Sequence, residues 1–404
     1  MKIAVIDNTC NNGYVIMRYL NDLGLDTDLV LLNEVSGHAD PLNDTFNKQY
    51  FDKIINTNWR DEAIFTGKIK KLKEKLKKYD FVIGSDYSPA LLYALNRKLD
   101  VFLPHGTDVF NYPFEKFPLN LNFRKKIGSW LLSKKQRLGI TNNTNYFVFE
   151  LTNEENESYV RRFKNPKFKR IYLTAPLIYM PQYTDDAVDR FSAESKIVNQ
   201  IKKLKSEDYN VIFHHCQQQW KNPYHPLFDK GNDKLIRGFA AFIHSNPGNK
   251  FKLVMIERGT DVMESKKLIA DLKISQHILW LPFMPRKEIM ACLHYADLGI
   301  GELGHSWYTY TVVSEFMAMG VPIVHKCDIP YYKTAHENIY PMYSVDSDED
   351  IFKLLTAFNH NPDSFKRTGA EAKQWYHSNI LLPFLDFIQS KISEKNSLAE
   401  NPAV

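Results

Sequence analysis

The chain has 404 residues, of which 44% are hydrophobic and 25% are charged. This composition is sufficient for two domains of ordinary size and excludes a disordered protein. The formal net charge of +5 is mild for this length, so the total charge does not indicate nucleic acid binding.

The cysteines and the apolar runs bear on the cellular compartment. The four cysteines share no metal-ligand spacing, which is typical of unpaired thiols in a reducing compartment. The apolar run at the N-terminus is too short for a signal peptide. No run approaches the ~18 apolar residues of a membrane-spanning helix. We therefore expect a soluble cytoplasmic protein.

The first half of the chain alternates predicted strands and helices. Residues 3–6 form an apolar run typical of a buried strand, and the loop after them leads into an amphipathic helix that ends at Gly24. This is a Rossmann-like opening, although residues 11–13 hold one glycine and no GxGxxG fingerprint. Asn12 and Gly13 are therefore either phosphate contacts or part of a simple connecting turn.

Two further strands are predicted at residues 81–84 and 101–103, and His105 follows the second. Ligands contact parallel sheets at the carboxyl ends of their strands. A neutral imidazole at that position could hydrogen-bond a sugar hydroxyl. The alternative is an ordinary loop histidine.

Two segments of this half are rich in lysine and arginine, residues 67–79 and residues 124–137. Each is either a surface that docks on an anionic membrane or the solvated face of an ordinary helix. On a membrane, each basic side chain near the lipid would contribute about 1 kcal/mol. For residues 124–137 we favour the ordinary helix, because its apolar face could equally be core.

A strand predicted at residues 169–174 is followed by two prolines, which indicate a linker between domains. A second series of strands and helices then begins with a strand at 211–213 and a long loop. Lys230 and Gly231 precede the next amphipathic helix. An ammonium group, a helix dipole and free N–H groups together suit a diphosphate. The alternative is an exposed lysine beside a capping turn.

The most informative pattern is the succession of strand, loop, helix and strand over residues 297–324. Glu315 lies in the early part of its helix, where a carboxylate could accept two hydrogen bonds from the paired hydroxyls of a ribose. Another strand is predicted at residues 278–281. The turn after it, at Phe283 and Met284, lies where a base could stack.

Four segments resemble glycosyltransferases of the GT-B fold, in particular the family 4 type: KGNDKLIRGF at 230–239, LPFMPRKE at 281–288, ADLGI at 296–300 and SEFMAMGVPIV at 314–324. The resemblance implies an α/β protein of two Rossmann-like domains that face each other across a cleft. The N-terminal acceptor-side domain would span residues 1–180, and the nucleotide-sugar donor domain residues 181–377. A C-terminal helix at about residues 378–395 would pack back on the first domain.

The resemblance also implies roles for individual residues. Glu315 would hold the ribose of a nucleotide sugar, and Lys230 would neutralise its diphosphate. His105 would reach the sugar from the opposite domain. Contacts to the distal phosphate and to the base would come, respectively, from the backbone of Thr311 and Val312 and from the turn at Phe283 and Met284.

The sequence departs from the family pattern at two positions. Trp307 stands eight residues before Glu315, where the family often has a second glutamate; Glu302 or His305 would then contact the donor sugar. Gln217 stands near the position of a common arginine, and Lys221 is its candidate replacement.

The function implied by the resemblance is that of a hexosyltransferase-like enzyme. It would move a sugar from a UDP- or GDP-linked donor to a glycan or lipid-linked glycan, with retention of configuration, in polysaccharide biosynthesis at the inner membrane face. The leaving phosphate would help to deprotonate the acceptor, so we expect no protein nucleophile, metal or other cofactor. The alternatives are a sugar-nucleotide epimerase on the same fold and a non-catalytic homologue that binds nucleotide sugars.

Overall fold

The computed structural model describes residues 1–33, 35–57, 68–115, 123–149, 154–221, 223 and 225–400. The chain forms two compact units. Unit 1 consists of Met1–Tyr179 and Ile380–Val404, and unit 2 consists of Met180–Asn379. Each unit contains a parallel β-sheet with helices around it, which confirms the predicted α/β class.

The sheet of unit 1 has seven parallel strands in the order β3-β2-β1-β4-β5-β6-β7. The strands are β1 Ile3–Ile6, β2 Thr27–Leu31, β3 Ile54–Asn56, β4 Phe81–Gly84, β5 Leu99–Phe102, β6 Thr144–Val148 and β7 Lys169–Ile171. The helices between them are α1 Asn12–Asp22, α2 Lys68–Leu76, α3 Ser88–Ala94, α4 Thr107–Phe110, α5 Phe123–Asn143 and α6 Glu154–Val160.

The sheet of unit 2 has six parallel strands in the order β10-β9-β8-β11-β12-β13. The strands are β8 Asn210–His214, β9 Phe251–Ile256, β10 Ile278–Leu281, β11 Leu298–Ile300, β12 Ile323–His325 and β13 Tyr343–Ser344. The helices of this unit are α7 Asp185–Glu194, α8 Lys196–Ser206, α9 Asn232–Ser245, α10 Val262–Asp271, α11 Arg286–Leu293, α12 Thr311–Met319, α13 Ile329–Tyr332, α14 Asp348–His360 and α15 Pro362–Tyr376.

The chain then returns to unit 1 as α16, Leu382–Glu400. Its apolar residues recur at helical spacing, and Phe384 and Ile388 pack in the same core cluster as Ile3 and Val5 of β1. Ala4 and Ile6 belong to a separate cluster with residues of α3 and α5. Successive side chains of a strand point to opposite faces, so β1 supports a core on each face of the sheet.

The two basic segments differ in what the structure shows of them. Gly67 and the side chains of residues 124–126 lie outside the described residues. Lysines of α2 are exposed. One face of α5, in contrast, packs closely on α3: a Cβ on Gly139 would lie only 2.1 Å from the Pro89 carbonyl oxygen. Burial of that face is what an ordinary helix requires, and membrane docking stays a prediction.

Candidate functional site

The centre of unit 2 is a topological switch point between β8 and β11. From β8 the chain continues to β9 and β10 on one side, and β11 then joins β8 on the other side. Loops at the carboxyl ends of such neighbouring strands line a crevice, which is where parallel sheets bind ligands. The predicted residues Lys230 and Glu302 lie in the chain segments that follow these two strands.

Lys230 and Glu302 form an ion pair within this crevice region. The Lys230 Nζ atom lies 2.7 Å from Glu302 Oε1, and the two side chains are only 15% and 12% exposed. Burial raises the pKa of the Glu302 carboxyl, while Lys230 and a hydrogen bond from Trp307 act in the opposite direction. A predicted diphosphate-binding lysine is therefore already paired with a carboxylate of the chain.

Gly231 allows the two loops to approach each other. It precedes α9 in a left-handed conformation, with φ of 61°. A Cβ there would lie 2.7 Å from the carbonyl carbon of Leu303 and 2.8 Å from the nitrogen of Gly304. The Leu303 N–H donates to the Lys230 carbonyl over 3.0 Å. This contact holds the backbone of Lys230 against the loop that carries Glu302.

The N-terminus of α12 supplies donors to the same edge of the sheet. The helix begins at Thr311, and Tyr310 before it makes no side-chain capping hydrogen bond. The first N–H groups of a helix have no acceptor within the helix. The N–H groups of the exposed Thr311 and of Val312 can therefore bind an anion, as the sequence predicts for a phosphate.

Glu315 lies one turn further along α12 and is 4% exposed. Its Oε2 lies 2.6 Å from His215 Nε2, and its Oε1 lies 3.3 Å from Arg286 Nε. Burial raises the pKa of this carboxyl, but His215 and Arg286 more than offset that effect, and the pKa is lowered overall. Glu315 is therefore an ionised group with two internal partners.

The segment that follows β8 connects the two clusters. His215 contacts Glu315 over 2.6 Å, and the Gln219 carbonyl accepts the backbone N–H of Lys230 over 2.7 Å. Cys216 lies in this segment, and burial raises the pKa of its thiol well above the usual range. Lys230 and Glu315 are therefore both held by the segment after β8, rather than on unrelated surfaces.

Sequence reasoning missed His215 and Arg286. His215 is the second of two histidines that follow the apolar residues of β8, and Arg286 is the first residue of α11. For His215 the available signal was a polar residue shortly after a predicted strand, as it was for His105.

The other predicted residues of unit 2 have varied surroundings. Lys221 is exposed and pairs with Glu264 over 2.7 Å, while the Gln217 carbonyl accepts a hydrogen bond from Asn232. Phe283 is 47% exposed, and the Arg258 guanidinium lies 4.6 Å from its ring centroid. Met284, the next residue in the chain, is buried, and the ring centroids of His305 and Trp307 lie 4.8 Å apart.

In unit 1, Asn12, Gly13 and His105 line one small pocket near the carboxyl ends of β1, β4 and β5. Asn12 Nδ2 lies 3.4 Å from His105 Nδ1. The Asp108 carboxylate accepts the backbone N–H of His105 over 2.9 Å, and burial raises the pKa of Asp108 to about 7. Gly13 is required for close approach, because a Cβ there would lie 2.2 Å from the Asp7 carbonyl oxygen.

Two buried histidines make unit 2 sensitive to acid. Burial lowers the pKa of His214 and of His325 to about 4, from an ordinary value near 6.5. The unfolded chain therefore binds more protons between these values, so stability falls as the pH drops from about 6.5 to 4, by roughly 3 kcal/mol per histidine. Thermal melting across this range should show a shallower pH dependence for His325→Phe. An unchanged slope in that variant would contradict the assignment.

Within the described residues, no group of three or more His, Cys, Asp or Glu side chains could hold a metal ion. No helix in the same part of the chain is long and apolar enough to cross a membrane.

The fold and the two sheets identify the chain as a protein of the two-domain GT-B fold, which confirms the predicted resemblance at the level of the fold. HepE (Alr3699) from Anabaena, solved in complex with UDP, is 13% identical, with a TM-score of 0.62 over 98% of this chain and 100% of that one. Sucrose-phosphate synthase from Thermosynechococcus elongatus is 11% identical, with a TM-score of 0.57 over 99% and 100% of the two chains.

A third similar structure is UDP-GlcNAc 2-epimerase from Neisseria meningitidis bound to UDP-GlcNAc. It is 11% identical, with a TM-score of 0.52 over 96% of this chain and 100% of that one. No protein-family model matches the sequence, and none of the curated proteins matches it.

Proposed function

We propose that the chain is a glycosyltransferase that moves a sugar from a nucleotide sugar to a glycan or lipid-linked acceptor. The observation that carries the proposal is the arrangement of Lys230, Glu302 and Glu315 beside the segment that follows β8, at the switch point of unit 2. A cation and the free N–H groups of α12 suit a diphosphate. HepE, which has the same fold, was solved with UDP and with UDP-glucose.

The chemistry follows from where charge develops. Glycosyl transfer places negative charge on the leaving diphosphate, and preorganised donors at that position stabilise the transition state. The Lys230 ammonium would exchange its Glu302 partner for a phosphate oxygen. Glu302, or His305 nearby in sequence, would then be available to the donor sugar in place of the family glutamate, whose position Trp307 occupies. The leaving phosphate would take the acceptor proton, so the proposed reaction retains configuration and uses no metal.

The acceptor side of the proposal rests on unit 1. The side chains of Asn12 and His105 offer hydrogen-bonding groups near the carboxyl ends of β1 and β5. The exposed lysines of α2 support a peripheral association with an anionic membrane surface, where a lipid-linked acceptor would be found.

An epimerase is the second candidate, because one of the similar structures is a UDP-GlcNAc 2-epimerase. A binding protein without catalysis is the third, and the departures at Trp307 and Gln217 support it. The three differ in their products. A transferase releases nucleoside diphosphate only when an acceptor is present, an epimerase isomerises the sugar nucleotide alone, and a binding protein does neither.

The test combines binding with turnover. A thermal-shift screen of UDP, GDP, UDP-glucose and GDP-mannose should show a higher melting temperature with one nucleotide class, because a ligand of the native state stabilises it. The selected donor is then incubated with glycan and lipid-linked acceptors, and released diphosphate is measured. Failure of every nucleotide to shift the melting temperature would overturn the proposal.

A further inference from the structure

The Glu315 carboxylate has internal partners at both oxygens. His215 Nε2 contacts one oxygen at 2.6 Å, Arg286 Nε lies 3.3 Å from the other, and the side chain is only 5% exposed. A ribose would therefore have to share this buried carboxylate with two groups of the protein.

The contact with Glu315 determines which nitrogen of His215 carries a proton. An ionised carboxylate can only accept hydrogen bonds, so His215 Nε2 must donate. In the neutral ring, Nδ1 is then left with a lone pair and is an acceptor. An acceptor can receive a hydrogen bond from the O–H of a hydroxyl group. It cannot bind an ionised phosphate oxygen, which is itself an acceptor.

The Nδ1 atom of His215 has no hydrogen-bond partner within the described part of the chain, although the side chain is only 4% exposed. The neighbouring His214 differs, because its Nδ1 lies 2.8 Å from the Ile300 carbonyl and its Nε2 lies 2.8 Å from Asn232 Nδ2. Buried polar atoms of native proteins are nearly always satisfied. At the carboxyl end of β8, this atom is free to accept a hydrogen bond from a bound ligand.

We propose that His215 Nδ1 accepts a hydrogen bond from a ribose hydroxyl of the nucleotide, and that Glu315 acts through His215 as a positioning residue. The inference rests on the proposed function, since it requires a nucleotide in unit 2. It differs from the role that the family resemblance implies, in which the glutamate holds the ribose itself.

The test compares the dissociation constant of UDP with those of 2′-deoxy-UDP and 3′-deoxy-UDP. Wild-type protein should bind UDP about tenfold more tightly than one of the two deoxy compounds. The deoxy compound lacks the hydroxyl that donates to His215 Nδ1, so this buried acceptor stays unsatisfied in the complex. His215→Gln retains an amide nitrogen near the position of Nε2 but removes Nδ1, and it should reduce this preference to about twofold. His215→Asn places an amide group near the position of Nδ1 and should retain more of it.

Two further variants separate the positioning role from general damage. In Glu315→Gln the amide can donate to His215 Nε2, which moves the ring proton to Nδ1 and should remove the preference for the hydroxyl. His214→Gln disturbs a buried neighbour whose nitrogens both bond within the protein, so the preference should persist even if the melting temperature falls.

The outcomes separate this inference from the proposed function. If the protein binds UDP and His215→Gln keeps the wild-type preference, the inference is wrong while the proposed function stands. The dissociation constants of uridine, UMP and UDP are measured for wild type and His215→Gln. If the loss of affinity in His215→Gln increases with the number of phosphates, the inference is also wrong. If the protein binds GDP but not UDP, the same comparison is made with GDP and its 2′-deoxy and 3′-deoxy forms. If the protein binds no nucleotide, both the inference and the proposed function are wrong.

Discussion

Replacement of Lys230 by Ala is expected to lower kcat/KM for the nucleotide sugar by about 10²- to 10³-fold, the usual cost of removing one preorganised donor from a developing negative charge. The Nζ atom lies 2.7 Å from Glu302, in a site where both side chains are largely buried. A buried ammonium interacts with phosphate more strongly than an exposed one, because water screens it less. Steady-state kinetics with the selected donor measures the effect.

The same substitution leaves Glu302 without its cation. A buried carboxylate that loses its partner costs about 3–5 kcal/mol in folding stability, so the melting temperature of Lys230→Ala should also fall. The double variant Lys230→Ala/Glu302→Gln should recover stability without recovering turnover. If turnover recovered together with stability, Lys230 would have no role at the phosphates.

Lys221→Ala is the matched control for the lysine. This side chain is exposed and pairs with the similarly exposed Glu264, and such surface pairs are worth about 0–1 kcal/mol. We expect unchanged stability and nearly unchanged turnover. A loss of activity equal to that of Lys230→Ala would instead place Lys221 in the donor site, as its candidate role in replacing the family arginine requires.

Replacement of Glu315 by Ala is expected to have the largest effect on stability, about 3–5 kcal/mol, because it leaves the Arg286 guanidinium buried without its counter-charge and the His215 Nε2–H without its acceptor. Nucleotide binding should weaken as well, because His215 is no longer held in position. Urea unfolding of wild type and variant gives the stability difference. Glu264→Ala, which removes an exposed carboxylate, should change stability by less than about 0.5 kcal/mol.

The pH dependence of the Glu315 contribution has a defined sign. The pKa of Glu315 is lowered in the folded protein. Its contribution to stability is therefore complete above the unfolded value of about 4.3 and is lost as the pH falls through the folded value. Glu315→Gln should remove this part of the acid dependence. Equal acid dependence in wild type and Glu315→Gln would contradict the ionised state that the ion pairs require.

The predictions from sequence succeeded where the signal is local. The apolar runs of β1 and β4 have the predicted bounds, because a strand buried on both faces must be apolar throughout. The half-buried strand β10 also has its predicted bounds. They failed at β2, which contains Asp28. That carboxylate is 3% exposed and is compensated by Tyr79 Oη at 2.7 Å and Lys78 Nζ at 3.0 Å, two residues about fifty positions away.

The sequence by itself determined the alternation of strands and helices and the residue types that suit a diphosphate, since these depend on side chains near each other in the chain. Only the tertiary structure decided what those residues contact. Lys230 pairs with Glu302 across 72 positions, and Glu315 with His215 across 100. The order of parallel strands brings these residues together, and no local pattern of apolar and polar residues encodes which strands become neighbours.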